Sequence, residues 1–232
     1  MDRFLLMAII VVLGALVATL AINIRRASAA RHRTRAAYMD ACRALLDQPR
    51  MGVSPTGFAR LAGSYQGQET DIQAMPDTLT FRKLPALWVL VTLPGPLPVG
   101  ATLDLMVRST GIEPFSRFQS LHNQLDLPEG FPETCAIRTD NPALMPSEDL
   151  MRRHLHIFDD PRVKELVISP DGLRIVFLAE EAQRSRYLIY RDAEMGLKPL
   201  PAEQVIPKLE ALLALRADIL DAAADKIEKI PA

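Results

Sequence analysis

Val163 to Leu178 reads VKELVISPDGLRIVFL, and the reading of this stretch decides the fold. Two apolar runs rich in β-branched residues, Val163 to Ser169 and Leu173 to Leu178, flank Pro170-Asp171-Gly172. Proline presets φ at about −65° and glycine supplies the positive φ of a tight turn, so the pattern predicts a β-hairpin. Lys164 and Glu165 read as outward charges that blunt a sheet edge. Arg186 to Arg191 predicts a third antiparallel strand.

Outward from the hairpin, Leu87-Trp88-Val89-Leu90-Val91-Thr92-Leu93 is apolar almost throughout, which fits a central strand with Trp88 in the core. Pro94-Gly95-Pro96-Leu97-Pro98 ends it. Thr102 to Val107 sets Leu103, Leu105 and Val107 against Asp104 and Met106, a strand with one buried side. Gly57 to Tyr65 and Glu69 to Met75 form a hairpin about Gln66-Gly67, with further strands at Thr78 to Phe81 and Cys135 to Arg138. Phe115 to Leu125 and Ser147 to Phe158 predict short helices, the second capped by Ser147. Ala202 to Ile230 is a long amphipathic helix with Val205, Leu209, Leu212, Ile219, Ala223 and Ile227 along one stripe. Hairpins followed by helices, without βαβ alternation, predict an α+β domain of antiparallel sheet and packing helices. Its two hairpin-rich halves allow two subsheets.

Before the domain, Phe4 to Ile24 runs without a charge, long enough to cross ~30 Å of hydrocarbon. Phe4, Leu13, Gly14, Ala18 and Ile24 mark this anchor, and Gly14-xxx-Ala18 is a small-xxx-small pattern. Ala27-Ser28-Ala29 resembles a signal cleavage site, but Arg25-Arg26 intervenes and the apolar run is longer than a signal core. Arg25, Arg26, Arg31, Arg33 and Arg35 follow with no acid among them, against Arg3 and Asp2 before the span. That asymmetry predicts a single-pass protein of the cell membrane with its domain in the cytoplasm, and the five arginines suit anionic lipid headgroups. Ser28 to Gln48 reads as a helix under the span, and Pro49 to Thr56 as a linker. The segments are an anchor over 1–26, a juxtamembrane helix and linker over 27–56, and the α+β domain over 57–232.

The chain carries 27 basic and 28 acidic side chains, and with five arginines beside the span the domain has an acidic excess. Such a domain lacks the basic face that nucleic-acid binding needs. Cys42 and Cys135 have no metal-ligand spacing and read as reduced thiols; pairing would need an oxidising compartment. His154-Leu155-His156 would share a face in a strand, but on a helix the two rings diverge. Phosphate-loop, dinucleotide, nucleophile-elbow and zinc-protease motifs are absent, and no metal or cofactor is expected. Arg138 and Arg174, with Asp140 in the polar loop Arg138 to Pro142, are the residues to test for convergence on an anion.

These readings favour a membrane-anchored, non-catalytic binding or accessory module whose partners are membrane lipids and another membrane protein. The alternative is an enzyme or sensor that takes an anionic small molecule on its arginines. A third reading turns the domain outward, as an envelope protein.

Overall fold

The computed structural model describes residues 3–78, 84–109, 111–185, 187 and 195–228. Helix α1 (Arg3–Ala36) leads into strands β1 (Asp47–Val53), β2 (Ala59–Tyr65), β3 (Gln68–Asp77) and β4 (Ala86–Pro94). Then come β5 (Leu103–Val107), β6 (Asn123–Leu125), β7 (Cys135–Thr139), helix α2 (Glu148–Arg153), β8 (Val163–Ser169), β9 (Gly172–Glu181) and helix α3 (Ile206–Glu228). All nine strands join one antiparallel sheet in the order β1-β2-β3-β4-β9-β8-β5-β7-β6. The expectation of two subsheets is therefore corrected. Pairing of β4 with β9, from Ala86↔Glu181 to Pro94↔Gly172, fuses the halves.

The Pro170-Asp171-Gly172 hairpin forms as read, with Ser169 opposite Gly172. Gly172 holds φ at 141°, and a Cβ there would collide with the Leu93 carbonyl oxygen and the Pro94 backbone. Glycine is thus required by the join between β4 and β9 as well as by the turn. Gln66 and Gly67, both at positive φ, close the β2–β3 hairpin.

One face of the sheet carries α3. Val205, Leu209, Leu212, Leu215 and Ile219 are buried at helical spacing and join the main core with Leu87, Val89, Val91, Leu103, Leu105, Ile175 and Phe177. Each such side chain contributes about 1.5–3 kcal/mol by leaving water. Lys208 fixes the helix laterally: it bonds Asp160 and lies 5.2 Å over the Phe177 ring. Burial pushes Asp160 up, but hydrogen bonds from Arg162 and Lys208 outweigh it and hold the carboxyl below the usual range. His154 caps α2 and meets Asp218 of α3 through Nε2 at 3.0 Å, while exposed His156 meets the Arg153 carbonyl.

Four local expectations differ. The juxtamembrane helix stops at Ala36, because Tyr38, Met39 and Cys42 turn into the core. Of the stretch expected as a linker, Pro49 to Val53 pairs with β2 as part of the edge strand β1, and Ser54 to Thr56 stays outside the sheet; Pro49 can sit there because an edge need not donate on both sides. Phe115 to Leu125 is a loop with one short 3-10 turn (Phe118–Ser120) and then β6. The Ser147-capped helix ends at Arg153 and gives way to a 3-10 turn over Leu155–Asp159. Of the strand expected over Arg186 to Arg191, only Tyr187 is described, and it is helical. Thr78 lies beyond β3, and the rest of that expected strand lies outside the described residues.

α1 is long and apolar enough to cross a membrane, and none of its residues is buried.

Replacing Gly172 with alanine should destabilise the fold by about 2–4 kcal/mol, since the new methyl strains φ and collides with main chain. Urea denaturation of the detergent-solubilised protein, followed by its one tryptophan, measures this. An unchanged midpoint would mean that the ladder can shift to admit a side chain.

Candidate functional site

The second face of the sheet bears the unusual chemistry. Strand register places Thr92, Arg174, Val167, Asp104, Arg138 and Gln124 in one row across β4, β9, β8, β5, β7 and β6. The next row runs Leu90, Val176, Glu165, Met106 and Ala136. Diagonal neighbours on one face lie ~7–8 Å apart, within reach of long side chains. Glu165 is diagonal to both Asp104 and Arg174, so the two carboxyls and the guanidinium come together.

A strap from Gly111 to Leu121, linking β5 to β6, covers this face. Phe115 and Phe118 pack on Leu90, Met106 and Val176, and the Phe115 ring lies 4.8 Å from Trp88. Arg138 lies 5.2 Å over Phe118 and donates to the Leu121 carbonyl and to Gln124. Lys164 pairs with Glu113 of the strap at 3.3 Å and donates to the Arg108 carbonyl.

Lys164 and Glu165 correct an expectation: both are buried rather than edge charges. The β8–β9 register shifts between Val163 and Glu165, so the chain holds an extra residue there. That bulge returns Val163 to the α3 side while both charges serve the strap side. Asp104 differs in the same way. Its strand is buried on both faces, so its carboxyl lies under the strap rather than in water.

Asp104 is 2% exposed and Glu165 is fully buried. Burial pushes the Asp104 carboxyl up, the facing Glu165 adds to the rise, and Arg174 and Ser116 only partly oppose it. Burial likewise raises Glu165 against the pull of Ser116, Arg174 and Asp104. Two carboxyls in one dry site cannot both ionise cheaply, so they hold a proton between them at neutral pH. Asp104 Oδ1 and both Glu165 oxygens are sealed from solvent without a hydrogen bond of ordinary geometry. Trp88 Nε1, Arg138 Nε and Arg174 Nε are in the same condition on the same face. Nearby, burial and the charge of Asp104 push the Cys135 thiol up to about 12, which leaves it unreactive.

No known protein family matches this chain, and no curated protein does.

Of the residues singled out in the sequence, Arg138 and Arg174 share a row with Asp104 between them, three strand spacings or about 14 Å apart. Asp140 stands outside that face, accepting from the Thr102 amide at 2.9 Å. Phe4, Leu13, Gly14, Ala18 and Ile24 are exposed on α1. Arg25, Arg26, Arg31 and Arg33 are exposed along its last third, whereas Arg35 lies 5.0 Å over the Phe58 ring. Cys42 and Cys135 are buried free thiols. Among the described residues no three His, Cys, Asp or Glu side chains group as metal ligands. A cleft of about 540 Å³ opens where α1 meets the domain, but the Tyr38 hydroxyl and the Gly196 amide already engage Glu180 within it. Burial and that contact push Tyr38 far above the usual phenol value.

Sequence reasoning missed Asp104, Glu165, Lys164 and Glu113. One signal was present in VKELVIS, where a charge falls on each parity of the alternation. A regular strand with one wet face places its charges on one parity only.

Arg174→Leu should cost about 2–4 kcal/mol at pH 8, because it strips two buried carboxyls of their cation. The deficit should shrink toward pH 5, where both carboxyls can be protonated. Urea midpoints of mutant and wild type across that range decide it, and a deficit independent of pH would show that Arg174 acts only through packing.

Proposed function

We propose that this protein is a membrane-anchored binding module, single-pass with its domain in the cytoplasm, that docks on a larger membrane assembly without catalysing a reaction. The observation that carries the reading is the way the anchor is mounted. At 1.5 Å per residue, the 34 residues of α1 extend about 51 Å, of which the apolar run takes about 31 Å. The remainder is a basic helical stalk whose last arginine stacks on Phe58, and within two residues of its end Tyr38 is buried in the core. Such a mounting leaves no slack between membrane and domain. A tether that merely kept a protein near a surface would work as well with a flexible linker. A fixed standoff suits a partner held at a fixed height in the same bilayer.

The arginine asymmetry supports the orientation, and Arg25 and Arg26 emerge where headgroups lie, each adding about 1 kcal/mol at an anionic surface. The acidic excess of the domain argues against nucleic acid as its partner. Arg138 of the anionic-ligand alternative is engaged with the strap, and the charge of Arg174 acts on the buried acid pair.

Affinity purification from gently solubilised native membranes, with mass spectrometry, should recover a stoichiometric membrane partner. Seven residues of helix inserted after Ala29 would raise the domain by about 10 Å without touching its contacts. The reading expects that variant to insert and fold normally but to lose its partner. Recovery of no partner by the wild type, or equal recovery by the lengthened protein, would sink it.

A further inference from the structure

The strap is fastened in an uneven way. Within Gly111 to Leu121 the described backbone hydrogen bonds are internal: Ser116 to Glu113, Ser120 to Arg117 and Leu121 to Phe118. Ser116 Oγ accepts from the Phe118 amide, and Gln119 donates to the Gly111 carbonyl, again inside the strap. What joins the strap to the sheet is side-chain contact. Phe115 and Phe118 lie on apolar residues, Glu113 meets Lys164, and Arg138 holds Phe118 and the Leu121 carbonyl. Lifting the strap therefore breaks no rung of the sheet, and the strap can open alone.

What lies beneath makes that opening conditional. Asp104 of β5 and Glu165 of β8 face each other there, with Ser116 of the strap and Arg174 of β9 beside them. Arg138 of β7 neighbours Asp104 but is committed to the strap and Gln124. Glu113 is paired with Lys164, and the Cys135 thiol of β7 stays protonated. Two carboxyls thus share one guanidinium not otherwise committed. In the closed state they hold a proton; opened to water, each would have an ordinary carboxyl value and lose it.

We propose that the Asp104–Glu165 pair is a proton-operated latch on the β5–β6 strap, closed while the carboxyls share a proton and released as that proton leaves. Opening uncovers Leu90, Met106, Val176 and Trp88, an apolar patch at the middle of the sheet. The latch stands independently of the docking reading, since it depends on the strap and the pair alone.

Because both carboxyls are raised in the closed form, it binds at least one proton more than the open form between about pH 5 and 7. Over that window the open-to-closed ratio gains at least about tenfold per pH unit. The test is hydrogen exchange by mass spectrometry on the full-length protein in detergent, between pH 5 and 7. Strap amides, residues 111–121, should accelerate by at least about two decades per pH unit, one from intrinsic exchange and the rest from the latch. Peptides from β4 should show only the intrinsic decade. In Asp104→Asn the strap slope should be shallower than in wild type, and in the double variant Asp104→Asn/Glu165→Gln it should fall to one decade per unit. Glu165→Gln removes the other carboxyl, is read in the same way, and replaces the first variant if that one does not fold. A wild-type strap with a slope of one decade, or a wild-type slope that persists unchanged in a folded variant, overturns the proposal.

Discussion

Pairing of β4 with β9 is the constraint on which the rest of the structure depends. It runs from Ala86 to Pro94 and makes one sheet from a meander of four strands and a second group of five. Because both strands are central, each face above them must be sealed from water. α3 seals one with a stripe of leucines, and the other falls to whatever chain remains nearby. That chain is the β5–β6 strap, which has only one short 3-10 turn of regular structure and two phenylalanines to offer. The two covers are unequal: a 23-residue helix lies on one face, and a loop held by a few side-chain contacts lies on the other.

What was legible in the sequence was local. The Pro170-Asp171-Gly172 and Gln66-Gly67 turns carry their conformation in their own residue types, and the strands beside them follow. The 21-residue apolar run and the leucine stripe of α3 are read by length and period. What was not legible depends on distant partners. Pro49 and Gly52 look like a linker until β2 supplies a strand for an edge to pair with. Asp104, Lys164 and Glu165 look wet until the bulge in β8 and the strap place them indoors. Of the candidate site, Arg138 and Arg174 were visible as residues. Their common row was not, because register between β9, β8, β5 and β7 is a tertiary fact.

Helix α1 obeys the same division. Its apolar part is set by hydropathy alone, but its attachment to the domain depends on where α1 ends. Tyr38 packs edge-on against Phe58 with centroids 5.8 Å apart, and the Leu200 amide donates to the Tyr38 carbonyl. The first residues after the stalk are thus held by a loop before β2 and by the segment that leads into α3.

The acid pair bears on why the strap is built as it is. If the strap served stability alone, two apolar side chains at 104 and 165 would serve it better. Well-packed hydrophobic replacements of buried ionic groups are often neutral or stabilising by about 1–4 kcal/mol. A phenylalanine lid over Leu90, Met106 and Val176 would then adhere through apolar contact at every pH. With Asp104 and Glu165 beneath it, adhesion depends on a proton that the closed state must retain, and the single guanidinium of Arg174 compensates one carboxylate rather than two. The arrangement gives up stability and gains a dependence on proton activity confined to the loosest cover of the sheet, while the face under α3 carries no comparable pair of carboxyls among its described residues.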